Sequence, residues 1–312
     1  LIRMRVASDS APPPPEASLS GASAATLIQW QDPRFAPAIE SLRKTMGVMT
    51  AEDDAMLGML LDFCEFDQAK AHALYTKSLT RRSELGLAKI REHIISEELK
   101  VEEFPHHHAV GRVIPIFSSA SVDPPRVATD GAGPTADAYP VLGCYEMRHG
   151  QGQAKDENDM HVTPEQFATY MLYVTQWRWL QCERYTERHG RLAWWSMIHD
   201  LSCPQGFFAL WGKARSVFNT FLGPVEEACA GLFPPMVKKI LIINVPRLFS
   251  PAWAVISRVL PAHHKERIVL LTCSQTTPDN LAKYVPPSLQ PPHVRADALA
   301  SGNAPPAPEP PA

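Results

Sequence analysis

Six cysteines in 312 residues never fall into a C-x-x-C spacing, which excludes a zinc ribbon and a thioredoxin-like dithiol. Cys64, Cys144, Cys182, Cys203, Cys229 and Cys273 sit within or beside apolar patterns and read as buried thiols of a reducing compartment. No apolar run reaches the ~18 residues of a transmembrane span, so any membrane contact is expected to be peripheral. Positive charge is not in excess. Lys and Arg total 30 against 33 Asp and Glu, a net charge of −3, which leaves no field to hold nucleic acid. Residues 1–30 contain PPPP and lack the apolar core run of a secretory signal peptide. The chain opens on Leu1 rather than Met, so an upstream piece is expected to be missing. Arg3 and Arg5 among Ala and Ser leave an organelle transit segment open. The location expected is cytoplasmic, with peripheral membrane contact.

Proline is plentiful, at 30 residues, and it crowds both ends. Residues 1–25 and 290–312 are therefore read as disordered Pro-rich segments that serve as linkers or polyproline ligands for protein partners. Between them, 26–105 reads as a helical module. Thr50 and Asp53 make a capping-box-like pair ahead of Met56, Leu57, Leu60 and Leu61, Asp67 caps a second helix, and Leu85–Glu98 a third. His106–His108 mark a break, followed by strand candidates at Val113–Phe117 and Val141–Tyr145, with loops at 121–138 and 148–160. Thr163, Pro164 and Gln166 then open a long helix with Phe167, Tyr170, Met171, Val174, Trp177 and Leu180 on one stripe.

Residues 106–289 read as an α/β lobe. Leu192–Ile198 is an apolar strand ending at His199-Asp200, and a helix over Cys203–Phe221 follows. The runs Ile240–Ile243 and Ile268–Leu271 are short, apolar and bounded by polar residues, as strands buried on both faces are. A helical pattern over Ser250–Leu260 joins them, which makes a βαβ crossover and a parallel sheet. Arg258 is the only charged residue of that helix. A helix apolar nearly all round faces protein or lipid on every side. The fold class expected is α/β: an all-helical N-terminal module, then a mostly parallel sheet flanked by helices.

His199-Asp200-Leu201, Phe233-Pro234, Ile242-Ile243-Asn244-Val245-Pro246, Phe249-Ser250 and Ile268-Val269-Leu270, in that order and spacing, resemble the CRAL-TRIO lipid-binding family. Phe66-Asp67 resembles the start of the second helix in the family's helical module. The resemblance covers roughly residues 50–290 and implies an apolar pocket between sheet and helices that holds one lipid. Its lining would include Met197, Ile242, Phe249, Trp253, Ile256 and Leu260. The helix carrying Ser250, Trp253, Ile256, Val259 and Leu260 would be a mobile gate, apolar on both sides because one meets the ligand and the other a transient membrane surface. His264 and Arg267 match candidate headgroup contacts. The resemblance implies no enzyme and no cofactor, only a bound hydrophobic lipid.

The chain departs from the phosphatidylinositol-transfer members of that family. Their basic pair before Phe-Asp is here Cys64-Glu65, their Glu after Tyr-Pro is Pro235, and only Arg267 stays basic. An inositol phosphate needs charge-assisted donors, so phosphatidylinositol exchange is not expected. The positions where phosphatidylcholine-binding members place hydroxyls are Trp195 and Met197, with Ser196 on the opposite face of the strand. A more apolar ligand follows, of sterol, retinoid or tocopherol type.

Rival chemistries are weaker. His106–His108 are adjacent and lack spaced partners, so they read as a solvated loop rather than a metal site. His199-Asp200 has no nucleophile motif beside it, and Gly206–Lys213 misses the P-loop spacing. Two functions remain: a lipid carrier with a gated pocket, or a protein-interaction module that keeps the fold without exchanging lipid. A pocket plugged by side chains such as Trp195 would favour the second.

Overall fold

Capping chemistry decides where the helices begin. The computed structural model describes residues 28–46, 53–121, 124, 126–127, 139–152, 162–203, 206, 220–221, 223–246, 249, 253 and 265–295. Helices α1 (Phe35–Met46), α2 (Asp54–Phe63), α3 (Gln68–Glu84), α4 (Leu87–Ser96) and α5 (His107–Val113) come first. Strands β1 (Ile116–Ala120), β2 (Arg126–Val127) and β3 (Tyr139–Arg148) lead into the long α6 (Pro164–His189). Then follow β4 (Trp194–Asp200), α7 (Gly223–Cys229), β5 (Val237–Val245), β6 (Ile268–Thr272) and α8 (Pro278–Ala282). Asp67 accepts from the Lys70 amide at the start of α3, and Thr163 and Gln166 close a reciprocal capping box at the start of α6. Asp53 sits at the start of α2 but makes no side-chain cap there, and Thr50 lies outside the described residues.

The sheet runs in the order β1-β3-β4-β5-β6, with β2 paired to β3. β1 is antiparallel to β3, and β3, β4, β5 and β6 are parallel. The expected α/β class and the parallel pairing of β5 with β6 are therefore observed, while the helix expected between them over Ser250–Leu260 lies almost wholly outside the described residues. Register places Tyr145, Met197, Ile240 and Ile268 side by side, and Met147, His199, Ile242 and Leu270 one pleat further on. Side chains alternate along each strand, so these two rows share one face.

On that face α6 covers β3: Phe167, Tyr170, Met171, Val174 and Leu180 cluster with Tyr145 and Met147. Trp195 lies under Trp177, with ring centroids 5.4 Å apart. The other side of α6 carries the helical module, where Arg91 pairs with Glu183 at 2.5 Å, and Trp179 there stacks on Phe233 from the segment before β5. The opposite face of the sheet is closed by the C-terminal segment. Leu281, Val285, Leu289 and Val294 join Ile198, Leu241, Ile243 and Leu271 in one core. Ser196 Oγ donates to Tyr284 O at 3.0 Å and Ser119 Oγ to Leu289 O at 3.1 Å.

Two expectations need correction. Residues 107–113 are helical, not a loop and strand start, because Val110 and Val113 share a buried helical face that a single short apolar run does not reveal. The tail boundary expected at 290 falls inside the folded segment. Gln290 is buried and donates to Pro278 O and Val285 O, and Val294 is buried too; the proline-rich composition hid these anchors. The helix expected over Cys203–Phe221 and the segments 1–25, 128–138, 153–160 and 296–312 lie largely or wholly outside the described residues.

Gly143 is required by packing. A Cβ there would come within 2.4 Å of Ser119 O and closer still to the Trp195 ring. Gly143→Ala is expected to destabilise the fold by about 1–3 kcal/mol through overpacking, read as a lower urea midpoint at unchanged slope.

Candidate functional site

The face shared by Met197, Ile240, Ile242, Ile268 and Leu270 is not finished the way the other face is. All five side chains are only half-buried, while Ile198, Leu241, Ile243 and Leu271 behind them are buried. Large aliphatic groups left partly accessible over two rows of a parallel sheet are unusual, since such sheets are normally covered on both faces. Two of the expected lining residues, Met197 and Ile242, stand on this strip. Phe249 and Trp253 are also half-buried, with near-parallel rings 6.5 Å apart. Ser250, Ile256, Val259, Leu260 and His264 lie outside the described residues. A surface hollow lined by Phe63, Cys64, Glu65, Lys70, Ala73 and Leu74 belongs to the helical module instead.

The strip ends at a pair of histidines. His199 occupies the Met147–Ile242–Leu270 row, and its Nδ1 lies 2.8 Å from Nε2 of His149, with the rings stacked 5.1 Å apart. Burial pushes the His149 pKa down to about 4. Burial and the neighbouring His149 lower that of His199 to about 3. Sequence inspection quoted His199 in the His199-Asp200-Leu201 signature and in a rejected catalytic dyad, gave it no binding role, and passed over His149. The available signal was a polar residue alternating with Trp195 and Met197 on an apolar strand.

Behind the strip, Asp200 is a structural acceptor. Its Oδ1 takes hydrogen bonds from Ser202 N at 2.7 Å and Asn244 Nδ2 at 2.8 Å, and its Oδ2 one from Ser202 Oγ at 3.0 Å. Burial raises its pKa, yet hydrogen bonds from His293, Asn244 and Ser202 outweigh that and hold it below the usual carboxylate value. Asn244 has φ 53°, a left-handed conformation that Asn tolerates better than most residues. Its N–H is taken by Thr276 Oγ1 at 3.0 Å. The Asp-Leu and Asn-x-Pro signatures are thus the two halves of one joint between β4 and β5.

Glu146, Asp200 and His293 converge, with ligand-type atoms within 4.8 Å of one another. Arg148 already supplies a cation there, its Nη2 lying 3.2 Å from Glu146 Oε2 and 2.9 Å from His293 Nδ1. The cluster pins the C-terminal segment to the sheet. Arg267, the candidate headgroup residue, lies 5.7 Å over the Phe63 ring with Nη1 3.5 Å from Val237 O. It therefore bridges the start of β6 to α2. Arg178 is 5% exposed and sits 4.8 Å over the Tyr145 ring beneath α6; among the described residues no carboxylate pairs with it.

Residues 152–293 match the sequence model of the CRAL/TRIO domain. The matched stretch, a little under half of the chain, is similar to a CRAL/TRIO domain. The match spans α6, all of β4, β5 and β6, and the segment that closes the back of the sheet. CRAL/TRIO proteins bind hydrophobic lipids and are in general carriers rather than enzymes. Among solved structures, the crystal structure of Sfh5 aligns over 78% of this chain and 70% of that one, at 11% identity and a TM-score of 0.47. No match is found among curated proteins. Among the described residues, no helix is long and apolar enough to cross a membrane.

The histidine pair gives a pH signature. Below about pH 6.5 the unfolded chain binds protons on His149 and His199 that the native chain refuses, so stability falls as pH falls toward their native values. His107, also lowered by burial, adds to the same slope. Tm measured between about pH 7 and pH 5 is expected to drop. The drop should be clearly smaller in the double variant His149→Phe, His199→Phe; an equal drop in both proteins would contradict the assignment.

Proposed function

We propose that this chain carries one hydrophobic lipid on the half-open face of its sheet and exchanges it with membranes. The observation that carries the reading is the strip of Met197, Ile240, Ile242, Ile268 and Leu270, which stays half-buried where the rest of the core is closed. Burying such side chains fully is worth about 1.5–3 kcal/mol each, and an acyl chain or fused-ring hydrocarbon on the strip recovers that energy. Phe249 and Trp253 supply aromatic surface for the gate, one aspect toward ligand and the other toward the bilayer. The domains that do this are the helical module up to about residue 105 and the lobe beyond it.

The ligand is not a phosphoinositide. Cys64-Glu65 and Pro235 replace headgroup-binding residues, and Arg267 is engaged with Phe63 and the Val237 carbonyl. One guanidinium already so placed does not make a phosphate site. Lipid extracted from protein purified out of cells is expected to lack phosphatidylinositol and phosphatidylcholine at stoichiometric levels. Mass spectrometry finding either would refute the apolar-ligand reading.

A scaffolding role is favoured by one observation: Trp195 fills the space over Gly143 under Trp177 and plugs that end of the face. Transfer of a fluorescent sterol between vesicles separates the two roles. The folded wild type is expected to accelerate transfer, and Trp253→Asp to reduce it at least about tenfold by placing a charge on the membrane-facing helix. A folded wild type with no transfer would leave the scaffold as the function.

A further inference from the structure

The strip proposed to carry the lipid is apolar except at one position. His199 stands in the same row as Ile242 and Leu270, and it alone on that row offers a ring nitrogen to whatever lies on the strip. We propose that His199, held by His149, is the polar contact that selects and orients an uncharged lipid bearing a hydroxyl or carbonyl group. The inference rests on the lipid-carrier reading and adds to it the chemistry of the ligand's polar end.

Geometry supports the assignment first. The 2.8 Å hydrogen bond and the stack at 20° between planes fix the His199 ring, and the His149 backbone amide donates to Asp200 O at 3.0 Å. Both rings stay half-buried. At the same time protein surrounds them closely enough to push both pKa values far down. Second, the pair is neutral at physiological pH, so it offers no net charge to attract phosphate or carboxylate. Third, a single proton is shared between Nδ1 of His199 and Nε2 of His149. Whichever ring donates it, the outer nitrogens, His149 Nδ1 and His199 Nε2, are left as one donor and one acceptor. A hydroxyl both donates and accepts, so it satisfies His199 Nε2 in either tautomer; a carbonyl satisfies it in one. A few polar groups in an otherwise apolar pocket are what fix ligand orientation.

Among the described residues, the competing cation on this face is Arg178. It is caged over the Tyr145 ring at 4.8 Å and covered by α6, so a charged lipid end is the less favoured occupant. The test can detect it.

The full chain is loaded with diphenylhexatriene, and the fluorophore is displaced with a long-chain fatty alcohol, the alkane of equal length and the fatty acid of equal length. Wild type is expected to prefer the alcohol over the alkane by about three- to tenfold, the yield of one net hydrogen bond. His199→Phe should abolish that preference with alkane displacement unchanged. His199→Gln, which keeps a hydrogen-bonding end, should retain it. His149→Phe should weaken it, because His149 positions His199. The proposal is overturned if His199→Phe keeps the alcohol preference, or if wild type binds the fatty acid more tightly than the alcohol, which would point to Arg178. Failure of the folded wild type to take up diphenylhexatriene would instead sink the lipid-carrier reading itself.

Discussion

Strand β4 is paired in parallel on both edges, to β3 and to β5, and that placement constrains every other part of the molecule. A central parallel strand has no free edge, so its side chains can go only to one face or the other. Trp195, Met197 and His199 go forward; Ser196, Ile198 and Asp200 go back. The backward set is satisfied within the chain. Ser196 is held by Tyr284 O, Ile198 by the C-terminal apolar core, and Asp200 by Ser202, Asn244 and His293. The forward set is only partly satisfied. Trp195 is closed under Trp177, while Met197 and His199 keep accessible surface.

This asymmetry links the fold to its use. Closing the back of the sheet with residues 278–295 makes a rigid floor, because buried hydrogen bonds and the Glu146–Arg148–His293–Asp200 network tie the segment down. Losing one member would leave buried charge unpaired, which costs several kcal/mol. That floor is closely packed, while the aliphatic side chains on the front of the sheet stay only half-buried. The helical module contributes by bracing α6 from behind, through the Arg91–Glu183 pair and through Arg82, which lies over the Phe233 ring that Trp179 stacks on.

Much of this was legible in the residues themselves. The capping box at Thr163 and Gln166, the cap at Asp67, and the four-residue apolar runs of β5 and β6 are local signals with local causes, and each element appears where they point. The alternation of Trp195, Ser196 and Met197 also assigned their faces correctly. What escaped was non-local. α5 rests on two valines whose buried partners are distant in sequence, and residues 290–295 look like a proline-rich tail until Gln290 and His293 find acceptors and charges on the sheet.

The sequence by itself determined the class of the fold, the helix starts at Asp67 and Thr163 and the apolar strands β5 and β6, because periodicity and caps are properties of short segments. Only the tertiary structure decided that His149 meets His199, that Arg267 is turned toward Phe63, and that one face of the sheet is buried while the other keeps half-buried aliphatic side chains. Those facts depend on the register between strands far apart in the chain, and no local pattern carries a register.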